Sequence, residues 1–148
     1  MDIQASLAKS SLFGGLAPQT YAALAKMARV LKLEDGDAVY RIGDPAQDVF
    51  VVADGRVRFT IGVGNRPDSS GSVLSVGDTF GWAALIEDQP RRIATALCLE
   101  DTTLIALNGA QLHVAFDRDP AAGYKVMHRF AKRIARDFLE QSSMLNSA

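Results

Sequence analysis

The 148-residue chain has one cysteine, Cys98. A single thiol forms no internal disulfide and is too few for a zinc finger or an iron–sulfur cluster. Set in Ala94-Thr95-Ala96-Leu97-Cys98-Leu99, it reads as a small buried hydrophobe. Histidine is almost as scarce: His113 and His128 both lie late in the chain, and none falls between Val30 and Asn108. No serine, cysteine or carboxylate sits in a recognisable nucleophile setting, so neither catalysis nor a histidine-bound metal has its parts. No apolar run approaches the roughly 18 residues of a membrane-spanning helix, and Met1-Asp2-Ile3-Gln4 lacks the basic start of a signal peptide. The expectation is a cytoplasmic chain with no membrane partner. The net charge of −1 is far from the strongly basic balance of a domain whose whole surface serves nucleic acid.

What is present is apolar residue, 48% of the chain, enough at this length for one compact domain over residues 1–148. From Gln4 to Val30 apolar residues recur at helical spacing, first Leu7, Leu12 and Phe13, then Tyr21, Leu24, Met27 and Val30 after Gly14-Gly15. Two short helices are predicted, the second with Pro18 in its first turn, where a missing N–H costs nothing. Residues 31–108 change to short apolar runs split by Gly and Asp: Glu34-Asp35-Gly36-Asp37, Ile42-Gly43-Asp44-Pro45, Ala53-Asp54-Gly55-Arg56, Val76-Gly77-Asp78. Regular turns of this kind predict a β sandwich or jelly roll. Its clearest strands are Val49 to Val52, Val57 to Ile61, Ala94 to Leu99 and Thr102 to Leu107. The Gly- and Ser-rich stretch Gly62 to Gly71 has no apolar period and reads as an exposed hairpin tip. Residues 109–148 are helical again, with Gln111 to Phe116 and a long helix from about Ala121 to Leu145.

One stretch carries chemistry. Ser75-Val76-Gly77-Asp78-Thr79-Phe80-Gly81 leads into the short apolar helical turn Trp82-Ala83-Ala84-Leu85-Ile86, and a Pro90-Arg91-Arg92 loop returns to a strand beginning Ala94-Thr95. Glycine before a short helix leaves backbone N–H groups at the positive helix end, and an arginine brought back over them adds a permanently charged fork suited to phosphate. The combination is an anion cradle; the plainer alternative is a tight turn with two solvated arginines.

This stretch resembles the phosphate-binding cassette of the cyclic-nucleotide-binding domain family, written Phe-Gly-Glu, two or three apolar residues, a short loop, then Pro-Arg-x-Ala-Thr/Ser. Here it stands as Phe80-Gly81-Trp82-Ala83-Ala84-Leu85-Ile86 and Pro90-Arg91-Arg92-Ile93-Ala94-Thr95. Trp82 replaces the family's ribose-binding glutamate, and the arginine loop is one residue longer. The resemblance extends from about Leu12 to Leu139 through Ile42-Gly43-Asp44, Val49-Phe50-Val51-Val52 and Gly55-Arg56-Val57. It implies a mainly β fold, an eight-stranded β-roll or jelly roll with N-terminal helices, a short cassette helix within 77–95 and a long C-terminal helix. It further implies a cyclic nucleotide, cAMP or cGMP, or another small anionic ligand, no cofactor and no metal. Phe80, Gly81, Trp82, Ala83, Ala84, Leu85, Ala94, Thr95 and an arginine are then the ligand-binding residues. Counting forward from Gly81 selects Arg91 and counting back from Ala94-Thr95 selects Arg92; the backward count is anchored on strand register, which favours Arg92. Ser11 to Leu16 resembles the family's loop beneath the barrel that moves with ligand, an ordinary helix connector being the alternative.

Along the last helix Met127, Ala131, Ile134, Phe138, Gln141 and Leu145 alternate in steps of four and three. This seam predicts a parallel homodimer, the alternative being one amphipathic helix lying on the roll. Family members that read DNA do so with a helix-turn-helix after this helix, and the chain stops at Ala148; the expected output partner is a protein effector or a domain outside this sequence, with no direct DNA contact by these residues. Two functions follow: a ligand-sensing regulatory domain signalling by movement of the C-terminal helix, or a degenerate member of the fold kept as a dimerisation or interaction module.

Overall fold

The computed structural model describes residues 1–60, 72–86 and 90–146, with the backbone alone at 137, 138 and 140–146. The glycine-rich segment Gly62 to Gly71 and residues 87–89 of the cassette lie outside the described residues.

The run Val49-Phe50-Val51-Val52 shows why the fold has three layers. It lies in β3 (Asp48–Asp54) and is buried on both faces, as a strand inside a layered fold must be. Its side chains alternate between two clusters. Val49 and Val51 join Ile105 and Leu107 in a core with Leu7, Leu24, Leu112 and Phe130, all from helices. Phe50 and Val52 join Leu104 and Ala106 in a second core with Val57, Phe80 and Cys98. The first sheet therefore stands between the helices and the second sheet.

That first sheet has the order β1-β8-β3-β6 and the second β2-β7-β4-β5. The strands are β1 (Arg29–Leu33), β2 (Ala38–Tyr40), β4 (Val57–Thr60), β5 (Val73–Leu74), β6 (Thr79–Phe80), β7 (Thr95–Cys98) and β8 (Thr102–Asn108) besides β3. Every pairing is antiparallel. Among the described residues this gives the eight-stranded β-roll expected. Cys98 sits in the second core at 2% exposure, and burial pushes its thiol above the ordinary value.

Helix α1 (Ile3–Ala8) starts on the Asp2 side chain, which accepts from the Ala5 N–H. Helix α2 (Pro18–Met27) has its proline in the first turn, as predicted. Val30 does not continue it. Ala28 turns extended and Val30 pairs with Ile105 in β1, because the sheet offers this apolar residue a partner that a further helical turn would not. Leu12 and Phe13 are likewise buried in the turn between α1 and α2 rather than in a helix. Helix α3 (Gly109–Arg118) is capped by the Asn108 side chain. The expected four-residue break before the last helix shrinks to Asp119. The ring of Pro120 interrupts the helix there, and the Asp119 carboxylate accepts from the Thr20 hydroxyl and the Ala122 N–H.

Helix α4 (Pro120–Asn146) packs on the body through Ala122, Val126 and Phe130. Arg129 donates to the carbonyls of Leu12 and Gly14, and Lys125 to that of Gly15, so the helix is tied to the α1–α2 turn. Beyond Phe130 the helix leaves the body, with Ala131, Ile134 and Leu139 exposed. Met127 is half-buried against the helical core, whereas Ala131 and Ile134 are exposed. The seam positions Phe138, Gln141 and Leu145 fall where only backbone is described.

Candidate ligand-binding site

Gly81 opens the cassette at φ 80°, a left-handed conformation that a side chain would strain. There is also no room for one: a Cβ here would stand 2.9 Å from the Phe50 ring, 3.0 Å from Arg92 Nη1 and 3.1 Å from the Asp48 carbonyl. The 3-10 helix η1 (Trp82–Leu85) follows. Its own bond from Ala84 N to Gly81 O consumes one of the N–H groups expected to face an anion. The N–H groups of Trp82 and Ala83, at the helix start, have no partner inside the helix.

The arginines separate cleanly. Segment 90–92 runs antiparallel to 43–46 through Ala46 N to Pro90 O, Arg92 N to Asp44 O and Gly43 N to Arg92 O, with Arg91 bridged to Pro45. Alternation along such a ladder sends neighbouring side chains to opposite faces. Arg91 lies on the outside and donates to the Gly43 carbonyl. Arg92 turns inward and is 5% exposed. Its Nη1 donates to Gly81 O at 2.8 Å and its Nη2 to Asp48 O at 2.7 Å, while Nε is buried without a partner.

Beneath Arg92 lies an aromatic floor. The guanidinium carbon stands 4.1 Å from the Tyr40 ring centre and 5.6 Å from that of Phe50. Tyr40 in turn touches Phe50, Phe59 and Phe80 at centroid distances of 6.0, 6.4 and 6.2 Å. A cation on ring faces is attracted by their quadrupoles, which offsets part of its desolvation. Burial still lowers the Arg92 pKa below the ordinary guanidinium value, against the opposing pull of Tyr40, Asp48 and Asp44. Burial likewise raises the Tyr40 phenol, with Arg92 pulling the other way.

The other predicted residues are arranged as follows. Phe80 is in the floor, Ala84 and Leu85 are buried against the helical core, and Ala94 is buried at the start of the returning strand. Thr95 accepts from the Ile42 N–H through its hydroxyl. Ala83 is half-buried. Trp82 packs with the helical core, edge-on to Phe130 of α4 at 5.5 Å and 77°. Position 82 thus presents its side chain to a helix, where the resemblance places a ribose acceptor.

Sequence reasoning missed four contributors. Tyr40 and the Asp48 carbonyl hold Arg92; the only sequence signal for Tyr40 was its place two residues before Ile42-Gly43-Asp44. His113 Nε2 lies 2.8 Å from the Leu85 carbonyl, so α3 holds the far end of η1. Gly109 lets α3 start directly on the cassette, since a Cβ there would fall 2.0 Å from Ala84 O.

The family profile of the cyclic nucleotide-binding domain matches residues 30–119, which include both sheets except Arg29 at the start of β1, and the whole cradle. The chain belongs to that family. It is 32% identical over 133 residues to the cyclic AMP receptor protein of Thermus thermophilus, covering 88% of this chain and 60% of that one. It is 28% identical over 133 residues to a Rhodopseudomonas palustris protein named as a potassium channel, covering 88% and 31%. The crystal structure of the Thermus thermophilus catabolite activator protein superimposes with a TM-score of 0.78 at 28% identity, over 91% of this chain and 63% of that one. The chain thus spans about a third to three fifths of the curated relatives it matches. Family membership makes it a ligand-sensing regulatory domain. Among the described residues no helix is long and apolar enough to cross a membrane, and no group of metal-binding side chains gathers.

Proposed function

We propose that the domain binds a cyclic nucleotide, or a phosphorylated molecule of similar size, through Arg92 and the N–H groups that open η1, and that binding repositions α4. The observation that carries this reading is Arg92: a guanidinium at 5% exposure, hydrogen-bonded to the cassette glycine and not to a carboxylate among the described residues. A buried charge held only by carbonyls and rings is an incomplete arrangement, which an anion would complete. Phosphate oxygens are stronger acceptors than the Gly81 and Asp48 carbonyls, so an entering phosphate takes over donors these carbonyls now hold. Gly81 and Asp48 then shift, and η1 shifts with Gly81. The fold acts as a binding module rather than an enzyme. Its signal passes to α4, which touches η1 through Trp82, and onward to a protein effector. Ala131, Ile134 and Leu139, all exposed on α4, contribute the surface for a homodimer. A coupling of about 1–3 kcal/mol between site and helix suffices for such a switch.

The second reading, a fold kept as an interaction module without nucleotide, is favoured by Trp82 alone. A ribose–carboxylate hydrogen bond is worth about 1.5–3 kcal/mol, so its absence costs roughly ten- to 150-fold in affinity. Calorimetric titration with cAMP and with cGMP, after denaturing a sample to check for co-purified nucleotide, separates the readings. The first expects saturable 1:1 heat from a nucleotide; the second expects none from either.

A further inference from the structure

We propose that Trp82 is a latch fixing α4 to the cassette at the point where the helix leaves the body, a role it performs through protein contacts alone and whether or not a nucleotide binds. Phe130 is the last residue of α4 that is buried among those described; Ala131, Lys132 and Ile134 are all exposed. The Trp82 ring meets Phe130 edge-to-face, the arrangement aromatic pairs prefer. Both ends of the contact are anchored. On the cassette side η1 is pinned at its start by Arg92 on Gly81 O and at its end by His113 on Leu85 O, while Gly109 brings α3 against Ala84. On the helix side Arg129 and Lys125 bind the carbonyls of Leu12, Gly14 and Gly15. Helix α4 is therefore gripped between the cassette and the α1–α2 turn, and a displacement of η1 reaches Phe130 through the Trp82 ring. A glutamate at position 82 would meet this apolar contact with a charge and could not make it.

Trp82 is the only tryptophan of the chain, so its fluorescence reports the latch directly. The ligand-stripped wild-type protein should emit to the blue of a solvent-exposed indole, as a half-buried ring packed on Phe130 does. Phe130→Ala should shift the emission to the red and increase acrylamide quenching. Hydrogen exchange over 126–136 should be faster by about two- to twelvefold in Trp82→Ala, the factor an aromatic pair contributes to an equilibrium constant, and close to wild type in Trp82→Phe. Circular dichroism confirms that each variant is folded, and the wild-type spectrum is informative even where a variant is not. A solvent-like emission in the wild type, or equal exchange over 126–136 in wild type and folded Trp82→Ala, overturns the latch. None of these readouts includes a nucleotide, so a failed titration and a failed latch are told apart.

Discussion

Replacing Gly81 by alanine tests the cradle at its tightest point. The substitution asks an L-residue to hold φ 80°, which costs about 1–2 kcal/mol. It also forces a methyl group to within 2.9 Å of the Phe50 ring and 3.0 Å of Arg92 Nη1, overpacking of a kind that costs about 1–3 kcal/mol more. The sum, roughly 2–5 kcal/mol, is a large fraction of a typical stability of about 5–15 kcal/mol. At about 3 °C per kcal/mol for a chain of this size, the midpoint of thermal unfolding should fall by roughly 6–15 °C. Gly36→Ala is the control, because Gly36 has φ 88° but nothing within 4 Å of the added carbon. It should lose only the conformational part, about 1–2 kcal/mol. Urea or thermal melts followed by circular dichroism measure both. Equal losses in the two variants would refute the reasoning, since they would mean that Phe50, Arg92 and Asp48 do not close on Gly81.

Three further outcomes are expected. Burial raises the Tyr40 phenol in the folded protein, so the folded state holds this proton more tightly than the unfolded chain; the stability it contributes is complete below about pH 10 and is lost as pH rises from there towards the folded value. Tyr40→Phe should flatten that alkaline loss in melts taken from pH 9 upward, and an unchanged slope would count against the buried phenol. Cys98, buried and with its thiol pKa raised, should react with a chromogenic disulfide reagent far more slowly in the native protein than in urea, and equal rates would contradict its place in the second core. Light scattering during size exclusion should give twice the 15.9 kDa chain mass at high micromolar concentration, falling towards the monomer on Ile134→Glu; a monomeric wild type removes the dimer.

The sequence made the fold legible because its two periods are written plainly. Val49 to Val52 reads as a strand between glycine turns, and Pro18 marks a helix start by backbone chemistry that tertiary contacts do not override; that the strand is buried on both faces, and that Asn108 and Pro120 open α3 and α4, is added by the structure. Val30 misled because an apolar residue in step with a helix is equally at home on a sheet, and only β8 decides. Within the site, strand register was enough to separate Arg91 from Arg92. The partners of Arg92 were beyond reach: a backbone carbonyl such as that of Asp48 carries no residue-type signal, and Tyr40 joins the floor across the sheets. Trp82 stood out as a departure from the cassette pattern, but its direction depends on where α4 crosses, which no local pattern encodes. His113 read as an unassigned helical histidine for the same reason.

The central claim, that the inward arginine receives the phosphate, is tested most directly by titrating cyclic nucleotide into Arg92→Lys and Arg91→Ala alongside the wild type. Lysine keeps the charge but not the two-pronged fork, and a charge-assisted contact of about 1.5–3 kcal/mol corresponds to roughly ten- to 150-fold in affinity. The account predicts a loss of at least tenfold for folded Arg92→Lys, with Arg91→Ala remaining within about twofold of the wild type, as a surface residue bonded to the Gly43 carbonyl should. The reverse order, or no binding heat in the wild type, would contradict it.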